Sequence, residues 1–163
     1  MSIAPLEVRP ADAMAGAAIV RIERDSFADP WSRESFLSSL ELERMQFLVA
    51  EERREGTGEK EAGEPAVLGY VIALVLSDEA EVSDLAVSPD ARRRGIGGLL
   101  LDRVVEEVAR RGVRSVYLEV RESNASARAL YESRSFRQVG IRRGYYRHPP
   151  EDALLLRRDL GPT

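Results

Sequence analysis

The chain of 163 residues has no cysteine and one histidine, His148. The absence of cysteine excludes disulfide bonds, cysteine nucleophiles and thiolate metal sites. A lone histidine cannot form a histidine metal cluster either. The sequence therefore predicts a protein that needs no metal ion.

Long apolar segments are also missing, since no uninterrupted hydrophobic run approaches the length of a membrane span. The first residues, 1–5, lack the basic start and the apolar core of a secretory signal. A formal net charge of −4 argues against broad electrostatic attraction to nucleic acid. We therefore expect a cytoplasmic protein that contacts neither membrane nor nucleic acid directly.

The length and the composition, 44% hydrophobic and 32% charged, predict one domain over residues 1–163 with a core of its own. Hydrophobic periodicity predicts helices after Asp12, after Ser32, after a glycine-rich loop and from Asn124 to Ser133. Strands are predicted at 6–9, 46–50, 67–76, 81–87, 113–120, 136–141 and 153–159. This order predicts an α/β fold whose sheet is antiparallel first and parallel around the glycine-rich loop.

Residues 51–64 interrupt this pattern with nine charged residues and three glycines among fourteen. Such a segment cannot bury enough apolar surface to order itself. We predict a flexible charged surface loop here.

The most informative segment is the loop from Arg92 to Gly98, which reads Arg-Arg-Arg-Gly-Ile-Gly-Gly between a strand ending at Val87 and an apolar-periodic helix. Backbone N–H groups at a helix start, released by glycines, form a site suited to a pyrophosphate. A solvated arginine run before an ordinary helix is the alternative that the loop alone leaves open. No Walker sequence is present, and a dinucleotide fold is disfavoured because the loop lies past mid-chain.

The spacing Arg92-x-x-Gly95-x-Gly97, followed in order by Leu118-Glu119-Val120, Asn124 and Tyr131, resembles the GNAT acetyltransferases over nearly the whole chain. The resemblance is greatest to the RimI-type N-terminal acetyltransferases. It implies a mixed twisted sheet of about six to seven strands with a splayed parallel pair, flanked by about four helices. It also implies acetyl-CoA as co-substrate. The residues that it assigns to acetyl-CoA binding are Leu85, Ala86, Val87, Arg92, Arg93, Arg94, Gly95, Ile96, Gly97, Gly98, Asn124 and Tyr131.

Two catalytic residues follow from the same resemblance. Glu119 is the candidate base that accepts the amine proton, although most strand glutamates simply face solvent. Tyr131 is the candidate acid that protonates the leaving thiolate, although aromatic residues on helices usually belong to the core.

The acceptor is predicted from Arg142-Arg143-Gly144-Tyr145-Tyr146 and a following Glu-Asp-Ala, which resemble the signature of N-terminal acetyltransferases. Tyr145 and Tyr146 are therefore predicted to contact a peptide, and so is Trp31 in a Pro-Trp-Ser element, which can equally anchor the core. The resemblance implies acetylation of the N-terminal alanine of a ribosomal protein.

The chain departs from the family pattern at two places, since Gly144 replaces a common asparagine and Arg134-Ser135 precedes Phe136. A broader N-terminal or lysine acetyltransferase and a silent acetyl-CoA-binding module stay open. The oligomeric state does not follow from the sequence.

Overall fold

A computed structural model describes residues 6–27, 30–53 and 66–161. Seven strands and four α-helices occur in these ranges, and two short 3-10 turns at Ala13–Ala15 and Pro89–Ala91 precede α1 and the glycine-rich loop. The strands are β1 (Leu6–Pro10), β2 (Met45–Glu52), β3 (Ala66–Leu76), β4 (Glu79–Val87), β5 (Ser115–Arg121), β6 (Arg137–Arg147) and β7 (Pro150–Asp159). The helices are α1 (Gly16–Ser26), α2 (Arg33–Leu40), α3 (Ile96–Arg110) and α4 (Ala125–Ser133).

The strands form one sheet in the order β1-β2-β3-β4-β5-β7-β6. All neighbours are antiparallel except β4 and β5, which are parallel and are joined through α3. This confirms the predicted α/β fold with a mixed sheet of seven strands. None of the helices in the described ranges is long and apolar enough to cross a membrane.

Alternation along the central strands gives the sheet two apolar faces. On β3, Val71 and Ala73 contact the cluster under α3 and α4, which we call the helical face. Tyr70 and Ile72 point the other way, into a cluster with α1 and α2 that we call the acceptor face. The core therefore lies on both sides of β2 to β4.

Helix α3 forms because its apolar residues recur on one side and its ends are favourable. Leu100, Leu101 and Val104 are fully buried against the sheet, and each buried leucine contributes about 1.5–3 kcal/mol. Gly95 begins the helix in the left-handed conformation (φ 79°), and Gly112 follows its end at φ 89°. The sequence prediction for this helix is confirmed.

The parallel pair separates halfway along its length. Register between β4 and β5 runs from Glu79 opposite Ser115 to Val82 opposite Leu118 and ends there, although β4 continues to Val87. On the other side of β4 the register to β3 shifts between Asp84 and Val82, so the intervening residue bulges. The predicted splayed pair is thus present, with its opening beside the last residues of β4.

Two sequence predictions need correction. Residues 51–52 continue β2 and are not loop, because Glu51 pairs across the ladder with Val67; the rest of the predicted loop, from residue 54, lies outside the described residues. The sixth strand does not end at Ile141 but extends to Arg147, because pairing with β7 resumes at Tyr146 opposite Glu151.

Candidate active site

The glycine-rich loop presents unpaired backbone donors. The first helical hydrogen bond of α3 runs from Leu99 N–H to Gly95 C=O (3.1 Å), which leaves the N–H groups of residues 96–98 without a partner inside the helix. No side chain caps this end. Arg93 and Gly95 both have positive φ, a backbone conformation that occurs in anion-binding loops. An anion such as a pyrophosphate fits this site.

Space next to these donors is kept by small residues. A Cβ on Gly97 would lie 3.4 Å from Leu130 in α4 and 3.8 Å from Val87 in β4, so the helix start is close to both walls of the opening. A Cβ on Gly98 would overlap the guanidinium of Arg134, which also contacts Asp102 at 3.4 Å. Because this guanidinium ends a flexible side chain, it can move aside, and neither glycine is strictly required by its neighbours.

The arginines of the loop have different surroundings. Arg92 donates weakly to the Val87 carbonyl (3.4 Å), and Arg94 forms an ion pair with Glu52 of β2 (2.9 Å). Ile96 buries its side chain in the core and offers only its N–H group to a ligand. Arg94 was predicted to contact the co-substrate, but its side chain is paired with Glu52.

The end of β4 offers a free strand edge. Leu85, Ala86 and Val87 pair with β3 on one side, and no register to β5 extends to them on the other. Asn124 begins α4, and its side-chain oxygen accepts from Ala127 N–H (3.2 Å), so its amide group is still available to donate. These groups fit the extended arm of acetyl-CoA, because the amide groups of that arm can form hydrogen bonds with a strand edge on one side and with Asn124 on the other.

Glu119 lies at the edge of an acidic cavity on the acceptor face. A cavity of about 240 Å³ is lined by Glu79 and Glu81 of β4, Tyr117 and Glu119 of β5, and Arg142 of β6, among others. Glu119 is only 10% exposed in its side chain and forms an ion pair with Arg142, Nε to Oε1, at 2.8 Å. The pKa of Glu81 is raised by desolvation and by the charge of Glu119.

The predicted tyrosine pair projects toward this cavity from a bulge in β6. Pairing with β7 lapses between Arg142 and Tyr146, Gly144 has φ 65°, and Asp152 Oδ1 accepts from the Gly144 N–H at 2.8 Å. The rings of Tyr145 and Tyr146 meet edge to face at 5.0 Å. A hydrogen bond to Glu119, together with burial, raises the pKa of Tyr145 to about 12. The bulge thus brings Tyr145 to the predicted base.

Tyr146 lies between the two predicted catalytic residues. Arg121 stacks on its ring at 4.1 Å and also donates to the His148 and Pro149 carbonyls, which fixes the turn after β6. Tyr146 interacts electrostatically with both Glu119 and Tyr131. Tyr146 is thus near both residues.

Tyr131 lies on the helical face, opposite to Glu119. It is 8% exposed and packs on Phe136 with ring centroids 6.0 Å apart. Burial raises its pKa, and so do the charges of Asp84 and Tyr146. Asp84 pairs with Ile72 and so belongs to the acceptor face. Its charge reaches Tyr131 on the helical face through the gap between β4 and β5. The predicted base and the predicted acid thus lie on opposite sides of one opening.

Sequence reasoning missed a second group of ionisable residues on the acceptor face. Glu23 of α1 is 2% exposed, and neither carboxylate oxygen has a hydrogen-bond partner among the described residues. Tyr70 donates to Asp84 Oδ2 at 3.2 Å. Burial, and then the neighbouring Glu23 carboxylate, raise the pKa of Asp84 to about 9.

A signal for these residues exists in the sequence. Glu23 stands four residues after Ile19, within the apolar stripe of α1, and Glu81 and Asp84 interrupt a central parallel strand that is normally apolar on both faces. Polar residues at such positions indicate function or a buried polar network.

Trp31 is half-buried at the edge of the cluster formed by α1, α2 and the acceptor face. Its packing there matches the alternative that it anchors the core. Its predicted contact with a substrate stays a prediction.

Comparison with known proteins places this geometry in a family. Residues 16–136 match the model of the Acetyltransferase (GNAT) family. The chain is 36% identical over 141 residues to the [Ribosomal protein bS18]-alanine N-acetyltransferase of Escherichia coli K12, covering 85% of this chain and 87% of that protein. It is 37% identical over 139 residues to the protein of the same name from Salmonella typhimurium, covering 83% and 85%.

Solved structures agree. The crystal structure of the ribosomal-protein-S18-alanine N-acetyltransferase from Escherichia coli aligns with a TM-score of 0.80 and 32% identity, covering 98% of this chain and 96% of that one. Arabidopsis thaliana NAA60 in complex with acetyl-CoA aligns with a TM-score of 0.81 and 24% identity, covering 96% and 99%, which supports the fold alone.

Proposed function

Because the chain belongs to the GNAT acetyltransferase family, we propose that it transfers an acetyl group from acetyl-CoA to the N-terminal alanine of a ribosomal protein. The observation that carries this proposal is the opening between β4 and β5, which has Glu119 on one face and Tyr131 on the other. The names of its bacterial relatives supply the acceptor. Ribosomal proteins are modified where they are made, so we expect the enzyme to act in the cytoplasm.

The co-substrate is held mainly by backbone. The N–H groups of Ile96, Gly97 and Gly98 would bind the pyrophosphate of acetyl-CoA, with Arg92 or Arg93 adding charge. The free edge of residues 85–87 and the amide of Asn124 would hold the arm that carries the thioester. Bound there, acetyl-CoA supplies the activated acetyl group.

Glu119 serves as the base. An α-amine titrates near pH ~8 and a lysine amine near ~10.4, so an N-terminal amine needs less help to lose its proton. The Glu119 carboxylate is reached from the cavity on the acceptor face and has a second carboxylate, Glu81, beside it. A negatively charged cavity also attracts the ammonium form of the acceptor.

Tyr131 serves as the acid. Its raised pKa keeps the hydroxyl protonated at neutral pH, as a proton donor must be. In the described part of the chain its hydroxyl accepts or donates no side-chain hydrogen bond, so its proton is free for a leaving group.

Tyr145, Tyr146 and Trp31 would contact the acceptor peptide. The tyrosines offer apolar ring surface beside Glu119, and their hydroxyls can bond to a peptide backbone. Trp31 would contribute from the α2 side of the same face.

The test measures thiol release from acetyl-CoA with two short peptides. One has a free N-terminal alanine, and the other is blocked at its N-terminus and contains one internal lysine. We expect turnover with the first peptide only. Turnover with the second peptide as well would indicate a broader acetyltransferase, and turnover with neither despite tight acetyl-CoA binding would contradict the proposal.

A further inference from the structure

Arg142 covers the predicted base. Its side chain is 56% exposed, whereas that of its partner Glu119 is 10% exposed, and the two are joined at 2.8 Å. A nearly buried carboxylate is thus separated from solvent by a mostly exposed guanidinium. The positive charge of Arg142 also partly offsets the rise in the pKa of Glu81, so Arg142 acts on both carboxylates.

Charge in the cavity is unbalanced without Arg142. Three carboxylates line it, those of Glu79, Glu81 and Glu119, and Arg142 is the single cation among its lining residues in the described ranges. The remaining partner of Glu119 is the hydroxyl of Tyr145, which is neutral. A ligand that brings a positive charge into this cavity therefore competes with Arg142 for the same carboxylate.

The backbone near Arg142 lets its side chain leave. Ladder pairing to β7 holds Arg142 opposite Ala153 and then lapses until Tyr146. The guanidinium itself loses little when it moves into water, because it is already mostly exposed. The cost of separation falls on the nearly buried Glu119 carboxylate, which therefore needs a replacement cation. The guanidinium also occupies the carboxylate position that an incoming ammonium would contact.

We propose that Arg142 is a displaceable counter-ion that occupies, in the free protein, the position on Glu119 that the ammonium of the acceptor takes. This inference rests on the proposed function. Arrival of the acceptor exchanges one cation for another, after which the ammonium gives a proton to Glu119. The neutral amine then attacks the thioester carbonyl carbon, the C–S bond breaks, and the thiolate takes the Tyr131 proton. The attacking nitrogen loses its second proton as the amide forms, and this proton restores the Tyr131 hydroxyl through solvent.

The counter-ion has a second consequence for acetyl-CoA in the absence of acceptor. A free base in the cavity can take a proton from water, which then attacks the thioester to give acetate and coenzyme A. Arg142 on Glu119 suppresses this hydrolysis until an ammonium replaces it. Arg142 is thus a positioning residue that acts through Glu119.

The experiment compares Arg142→Gln with Arg143→Gln. Arg143 is the next residue, is exposed and makes none of the ion pairs in the described ranges, so it is a matched control for lost charge. For Arg142→Gln we expect about a threefold lower KM for the alanine peptide and about a threefold faster peptide-free hydrolysis of acetyl-CoA. Arg143→Gln keeps wild-type values, and Arg142→Lys, which retains the charge, restores slow hydrolysis.

The two proposals fail separately. Wild-type turnover with the alanine peptide judges the proposed function, whereas the ratio of peptide-free hydrolysis between Arg142→Gln and Arg143→Gln judges the counter-ion. Hydrolysis no faster in Arg142→Gln than in Arg143→Gln overturns the counter-ion, whatever the wild-type enzyme does with peptide. A higher KM in Arg142→Gln also overturns it, because Arg142 would then help to bind the acceptor.

Discussion

Two carboxylate pairs lie on the acceptor face of this sheet, and they differ in what surrounds them. The covered pair, Glu23 and Asp84, joins α1 to β4 beneath the helices, and its hydrogen-bond donor is the hydroxyl of Tyr70. The open pair, Glu81 and Glu119, lines a cavity and is shared with Arg142. Each pair thus has one carboxylate on β4, but the surroundings of the two pairs differ.

The environment decides which pair can act as a base. Asp84, with its pKa raised to about 9, keeps a proton at neutral pH and can donate it to the otherwise unpartnered oxygens of Glu23. Two adjacent buried carboxylates without a cation share a proton in this way. The open pair has a guanidinium to balance it and an entrance for an amine. The covered pair therefore fits a structural role, and the open pair fits the catalytic role proposed above.

The strongest test of this distinction is Glu119→Gln. Loss of the base should lower turnover with the alanine peptide about a hundredfold or more, because general base catalysis contributes about 10²–10⁴. The activity profile should also move toward alkaline pH, since the amine must then lose its proton to solvent. Thiol release from pH 6 to 10 measures both effects. An unaltered profile would remove Glu119 from the mechanism.

Tyr131→Phe tests the proton donor on the far side of the opening. We expect turnover to fall about tenfold to a hundredfold, because the thiolate then leaves without a proton. Acetyl-CoA affinity should change little, since the ring and its packing on Phe136 are retained. Calorimetric titration with acetyl-CoA is the control. Wild-type turnover in this variant would reduce Tyr131 to a core residue.

Asp84→Asn tests the covered pair through stability. The pKa of Asp84 rises from 3.8 to about 9 on folding, so the folded protein keeps a proton that the unfolded chain loses. The resulting stability is fully present below pH ~4 and is lost as pH rises toward 9. Between pH 5 and 8 the wild type should lose about 4 kcal/mol relative to Asp84→Asn, because each of these pH units costs about 1.4 kcal/mol.

Urea unfolding at both pH values measures this difference. Asparagine keeps the shape of the side chain and an oxygen for the Tyr70 hydroxyl, so the variant should fold. Parallel pH dependence in the two proteins would mean that Asp84 is already ionised in the fold. The covered pair would then need a cation that the described residues do not provide.

The fold could be predicted from the sequence wherever its signals are local. The apolar stripe of α3 and the alternation in β3 repeat within a few residues, so their elements were identified correctly. The predicted end of β6 was wrong because Gly144 and the tyrosines resemble a turn in the sequence. In the structure, β6 continues through them and pairs with β7 again at Tyr146. Tertiary pairing overrides local preference there.

The candidate site was predictable only where a motif marks it. Glu119 and Tyr131 stand in recognisable positions, and the structure places them on opposite faces of one opening. The covered pair is formed by residues from α1 and β4, which no local pattern relates. Arg142 was visible only as part of a tyrosine-rich motif, and its contact with Glu119 depends on the order of β5, β7 and β6.

Glu81→Gln is the finest test, because it leaves the base in place and removes only its neighbour. Desolvation and the charge of Glu119 raise the pKa of Glu81, so its contribution to stability is lost as pH rises. Glu81 is half-buried and screened by water, and we therefore expect the variant to gain less than about 0.5 kcal/mol at pH 8. Turnover should stay within about threefold of wild type, since Glu119 still accepts the proton. A loss as large as that of Glu119→Gln, measured in the same thiol assay, would mean that the open pair shares the proton and that the base is both carboxylates acting together.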